Sequence, residues 1–85
     1  MPKERELILL IENDPDISDI IVRQALQPLR YRVKVVTDAN KAIQAAMKYS
    51  PDLVIADLNS PGLSGKDLLV AFGAQNFDFP VIILA

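Results

Sequence analysis

Short apolar runs, separated by amphipathic segments, restrict this sequence to few folds. Leu7-Ile8-Leu9-Leu10-Ile11 is apolar at every position, as are Leu53-Val54-Ile55-Ala56 and Val81-Ile82-Ile83-Leu84. A strand with one face in water alternates apolar and polar residues. A run that is apolar throughout and only four or five residues long suits a strand covered on both faces, as in a parallel sheet. Tyr31 to Val36 differs, because Tyr31, Val33 and Val35 alternate with Arg32, Lys34 and Val36. That pattern fits a strand nearer the sheet edge.

The intervening segments read as helices. Asp14-Pro15-Asp16 supplies a capping acid, a proline at the first helical position and an acid in the first turn. Ile17, Ile20, Ile21, Ala25 and Leu29 then recur at helical spacing as an inward stripe, which Pro28 ends or bends. Asp38 caps a second helix with Ala42, Ile43, Ala46 and Met47 facing inward, and Ser50-Pro51 stops it. A third helix, Lys66 to Phe72, turns Leu68, Leu69 and Phe72 inward and ends at Gly73. Strand and helix alternate to the end of the chain. This order predicts βαβ units with right-handed crossovers and a parallel sheet.

Composition narrows the chemistry. At 85 residues the chain is one small domain, and 51% hydrophobic residues argue for a packed core over disorder. Cysteine and histidine are both absent, which excludes disulfides, thiolate catalysis, imidazole acid–base chemistry and His- or Cys-ligated metals within this chain. The formal charge of −2 is spread over interspersed acids and bases, so neither nucleic acid nor a membrane surface is an expected partner. The run Leu7 to Ile11 is too short for a signal-peptide core or a membrane span, and a cytoplasmic location is expected. Carboxylates, hydroxyls, amines and backbone groups are left to do the work.

The carboxylates fall at informative places. In open parallel sheets, ligands bind beyond the carboxyl ends of the strands, where strand order reverses. Glu12 and Asn13 follow the first strand and Asp57 follows the third. With the second strand outside the first and the third beside it, these three groups meet in one crevice. Over it hangs a loop, Leu58 to Ser64, that holds Pro61 and Gly62 and leads into Gly65. Oxygen donors without imidazole or thiolate suit a hard cation, Mg²⁺ above all. A carboxylate beside such an ion can also attack a phosphoryl group. Asp14, Asp16 and Asp38 are accounted for as helix starts, whereas an acid closing the apolar strand Leu53 to Ala56 is not.

These segments resemble the receiver domains of two-component response regulators. Ile8-Leu9-Leu10-Ile11-Glu12-Asn13-Asp14-Pro15-Asp16 is similar to their opening strand and acidic cluster. Pro51-Asp52-Leu53-Val54-Ile55-Ala56-Asp57 resembles the strand that carries the phospho-accepting aspartate. Asp57-Leu58-Asn59-Ser60-Pro61-Gly62-Leu63-Ser64-Gly65 matches the family's D-x-x-x-P-G-x-x-G loop without a gap. The resemblance implies a flavodoxin-like α/β fold with strand order 2-1-3-4 and helices on both faces. It implies that Asp57 accepts a phosphoryl group, and that Glu12, Asn13, Asp57 and the backbone carbonyl of Asn59 hold Mg²⁺. Pro61 and Gly65 would shape the loop. The implied partners are a sensor histidine kinase or phosphotransfer protein and an effector domain or protein. On this view the chain is a signalling domain, not an enzyme, that at most phosphorylates itself from small donors.

Three departures qualify the resemblance. Asn13 stands where the family carries an aspartate, which weakens the Mg²⁺ site. Ala85 stands where a threonine or serine hydroxyl normally meets the phosphoryl group. The family's fifth strand, with its lysine, has no counterpart, so residues 1–85 are expected to be a partial receiver domain. Val81 to Leu84 would then be an uncovered edge through which two copies could dimerise. A pseudo-receiver that works as an interaction module without phosphorylation stays open beside the phosphorylatable reading. An aspartate-based phosphatase is disfavoured, because position 59 is Asn where those enzymes need a second aspartate.

Overall fold

The computed structural model describes residues 5–57, 65–75, 77 and 79–84. Strands β1 (Leu7–Ile11), β2 (Arg32–Val36), β3 (Leu53–Asp57) and β4 (Val81–Leu84) form one parallel sheet in the order β2-β1-β3-β4. The helices are α1 (Pro15–Ile20), α2 (Ala39–Tyr49) and α3 (Gly65–Ala74). No helix among the described residues is long and apolar enough to cross a membrane.

The all-apolar β1 occupies an interior position and serves two cores. Leu9 and Ile11 pack with Val36, Val54, Ala56, the α2 alanines, Leu68 and Phe72 on one face. Ile8 and Leu10 pack with Leu26 and Ile55 on the other. Burying each of these leucines and isoleucines stabilises the fold by about 1.5–3 kcal/mol, which is why no polar residue interrupts the strand. Asp52 fixes where β1 and β3 begin. Its Oδ2 accepts a hydrogen bond from the Leu7 N–H at 2.8 Å, while its own N–H donates to the Leu7 carbonyl, also at 2.8 Å.

Both predicted helix caps are present. Asp14 Oδ1 accepts from the N–H groups of Asp16 (2.9 Å) and Ile17 (3.4 Å), and Asp38 Oδ1 accepts from the Lys41 N–H at 2.8 Å. After α1 the chain widens into a π-helical turn, Ile21–Leu26, followed by a 3₁₀ turn, Gln27–Leu29. Pro28 accounts for the change, since its ring cannot sit in an α-turn or donate to the carbonyl four residues back. Arg30 closes the segment with φ of 67°.

Three expectations about helix faces and one about a helix end are corrected. In the first helical segment Ile17 (43%), Ile20 (53%) and Leu29 (68%) are exposed, as is Ala25, and the inward residues are Ile21, Val22 and Leu26. Apolar side chains surround most of this helix, so spacing alone does not choose its inner face. In α2 the buried set is Ala39, Ala42, Ala45 and Ala46, with Ile43 half-buried and Met47 in solvent. The small residues let the helix lie close on the sheet. In α3 Leu68 and Phe72 are buried and Leu69 is exposed. Gly73 does not end this helix: a Cβ there would meet nothing within 4 Å, and the helix continues to Ala74. The turn comes from Phe72, which packs edge-on against Phe77 (5.6 Å) and Phe79 (5.4 Å), while its carbonyl accepts from the Phe77 N–H at 3.2 Å.

Candidate functional site

Register brings the two carboxylates together. Ile11 of β1 lies opposite Ala56 of β3, so Glu12 and Asp57 stand side by side one residue further on. Side chains alternate along a strand. Glu12 follows Leu10 by two positions and Asp57 follows Ile55 by two, so both emerge on the same face of the sheet at its carboxyl end. The Glu12 N–H donates to the Val36 carbonyl at 3.0 Å, which pins Glu12 against the end of β2 as well.

Glu12 is 3% exposed, and it is the one charged residue type in the buried set among the described residues. Its Oε2 has no hydrogen-bond partner among the described groups. Burial pushes the Glu12 carboxyl up from 4.5 to about 7, with the hydrogen bond to Asp57 and the charge of Asp57 adding to the effect. The backbone N–H of Asp14 pulls the other way. Glu12 therefore resists losing its proton, and one of its oxygens has no partner among the described groups.

A buried carboxylate oxygen without a donor, beside a second carboxylate, is the chemistry of a hard-cation site. The residues present fit Mg²⁺ on that observation. Asn13 follows Glu12 directly and is exposed. Asp14 does not stand in for the missing third charge, because its Oδ1 is held by the start of α1. Accordingly, no group of three acidic side chains suited to a metal occurs among the described residues. Gly65 is the first residue of α3. Asn59, Pro61 and Ala85 lie outside the described residues.

The sheet order, with a reversal between β1 and β3 and an acid at the tip of each, is the arrangement expected of a receiver. The sequence model of the response regulator receiver domain matches residues 8–85. The chain belongs to this family. As a response regulator receiver domain of two-component systems, it is 40% identical over 77 residues to the regulatory protein VanRB of Enterococcus faecalis, covering 91% of this chain and 34% of that protein. It is 34% identical to the C4-dicarboxylate transport transcriptional regulatory protein DctD of Pseudomonas aeruginosa, over 91% of this chain and 16% of that protein. Among solved structures, the signal receiver domain of an HD domain-containing protein from Pseudomonas fluorescens superposes with a TM-score of 0.84 at 29% identity. That match covers 98% of this chain and 60% of the other. The receiver thus spans about a third or less of these two curated relatives.

Sequence reasoning named Glu12 and Asp57 and missed how deeply Glu12 is buried. It also missed Asp52, which ties the strands that carry both acids. The signal for Asp52 was its place just before an apolar strand, beside Pro51.

Proposed function

We propose that this receiver accepts a phosphoryl group on Asp57 in a Mg²⁺-dependent reaction and passes the signal to an effector. The observation that carries the reading is the buried Glu12 beside Asp57, with its unsatisfied Glu12 oxygen. Glu12, Asp57, the amide oxygen of Asn13 and the backbone carbonyl of Asn59 would hold the ion. When bound, it supplies positive charge that screens the carboxylate from an anionic phosphoryl group.

The chain's own residues supply the rest. Asp57, half-buried at the tip of β3, offers a carboxylate oxygen to the phosphorus. The P–N bond of a donor phosphohistidine breaks as the acyl phosphate forms, and the leaving imidazole nitrogen takes up a proton. Glu12 stays unmodified, with its side chain nearly closed to water. Residues 1–85 would be the phospho-accepting part of a partial receiver, served by a sensor histidine kinase or phosphotransfer protein. DctD is by name a transcriptional regulatory protein, and an effector that regulates transcription is the output we favour here.

The test is intact mass after incubation with Mg²⁺ and acetyl phosphate. One phosphoryl adduct is expected, absent when Mg²⁺ is chelated and absent in Asp57→Asn. A folded protein that takes no adduct would overturn this reading in favour of a pseudo-receiver that acts by binding alone. Asn13, which brings no charge to the ion, and Ala85, which brings no hydroxyl to the phosphoryl group, are the features on which that alternative stands.

A further inference from the structure

Beside the edge strand β2, three side chains from two elements converge. Lys34 of β2 places its Nζ 5.1 Å from the centre of the Tyr49 ring, and Lys48 places its Nζ 5.2 Å from the same centre. Both are within the range in which a ring face attracts a cation. The two ammonium groups repel each other, and no acidic side chain of the described residues pairs with either. Tyr49 is 40% exposed, and both lysines are exposed. The phenol lies below the ordinary tyrosine range, first because Lys48 hydrogen-bonds to it and then through the charges of Lys34 and Lys48. Two cations and a polarised hydroxyl thus gather at one exposed point of a chain whose overall charge is −2.

We propose that Lys34, Lys48 and Tyr49 form a docking site for the carboxylates of an acidic segment in a partner protein. Two features select this occupant. Among the described residues no carboxylate pairs with either ammonium group, so an incoming one relieves their repulsion and meets a hydroxyl donor. All three side chains are exposed, which suits side chains of a macromolecule better than an enclosed small molecule. Arg32 lies two residues before Lys34 on the same face of β2 and adds positive charge along the approach, although its Nε is committed to the Arg5 carbonyl at 2.8 Å. Lys48 also sits in the last turn of α2, where it complements the helix carbonyls. Lys34 comes from a different element and has no such role, so helix capping does not explain the pair.

The experiment titrates the full chain with hexaglutamate and follows backbone and Lys Nζ resonances by NMR, with hexaglutamine and hexathymidylate as comparison ligands. Hexaglutamate is expected to shift Lys34, Lys48 and Tyr49 selectively, while hexaglutamine has no effect. Lys34→Ala or Lys48→Ala should each weaken binding by about twofold to fivefold and the double variant by about tenfold. Binding should fade as ionic strength rises. A variant with both lysines replaced by arginine retains the charges and is expected to bind within about twofold of the parent, which keeps the test independent of any loss of fold in the alanine variants. Equal binding of hexaglutamine, or shifts that persist in the folded double alanine variant, would overturn the proposal. So would hexathymidylate binding more tightly through the same lysines, which would assign the site to nucleic acid.

Discussion

Replacing Glu12 by glutamine should stabilise the ion-free receiver at alkaline pH, even though it removes a residue proposed to hold the ion. The carboxyl is raised from 4.5 to about 7, chiefly by burial and then by Asp57. Its charged form is therefore disfavoured in the folded state and not in the unfolded one. For a group raised in this way, stability is fully present below the unfolded value near 4.5 and is lost as pH rises toward and through about 7. At about 1.4 kcal/mol per pH unit of displacement, the span from 4.5 to about 7 corresponds to an upper bound of about 3–4 kcal/mol. Proton sharing with Asp57 spreads part of this over the pair. Glu12→Gln removes the titration and gives Asp57 an amide donor in a side chain of nearly the same shape.

The assay is urea unfolding followed by far-ultraviolet circular dichroism from pH 5 to 8, with chelator present. The parent chain should lose up to about 3 kcal/mol across that window, whereas Glu12→Gln should be flat. At pH 8 the variant should be the more stable of the two, by about 12–24 °C in midpoint temperature if the full amount is realised. A parent whose stability is level or rises between pH 5 and 8, or a variant less stable than the parent at pH 8, would refute the account of Glu12 as a carboxylate held against its preference.

Two further predictions follow from other residues. Asn13→Asp should tighten Mg²⁺ binding by about tenfold to a hundredfold, as one added charge near the ion would, read by calorimetric titration at fixed pH. Phe72→Ala should cost about 3–5 kcal/mol in urea unfolding, since Phe72 is 3% exposed and holds both Phe77 and Phe79 by ring contacts.

Much of the fold is legible in the sequence because parallel strands are covered on both faces. Leu7 to Ile11 serves two cores at once, so every position had to be apolar, and that density of apolar residues points to one kind of sheet. The helix starts were legible for a local reason, as Asp14 and Asp38 satisfy N–H groups only two or three residues away. Helix faces were less so. Ile17, Ile20, Ile21, Val22, Ala25 and Leu26 offer apolar groups in most directions, and which of them turns inward depends on the sheet beneath and on the wide turn that Pro28 imposes. Gly73 misled because a glycine can end a helix but need not. Here the aromatic contacts beyond it set the end, and those depend on tertiary packing.

The candidate site divides along the same line. Strand ends and topology place Glu12 and Asp57 together, and both were available from the sequence. That Glu12 is buried with an orphaned oxygen depends on Val36, Asp57 and the turn into α1 closing around it, none of which spacing reveals. This burial gives Asn13 a physical meaning beyond a lost ligand. Glu12 already resists ionisation because of burial, Asp57 and, to a lesser extent, the charge of Asp14. A third carboxylate at position 13 would add to that resistance whenever the ion is absent. On the proposed Mg²⁺ reading, the amide would weaken ion binding and relieve the ion-free state by the same removal of charge. Asn13→Asp should consequently show two effects of opposite sign, tighter Mg²⁺ binding and lower ion-free stability at pH 8. If the substitution tightens binding without lowering that stability, the charge at position 13 does not reach Glu12, and the coupling argued here is wrong.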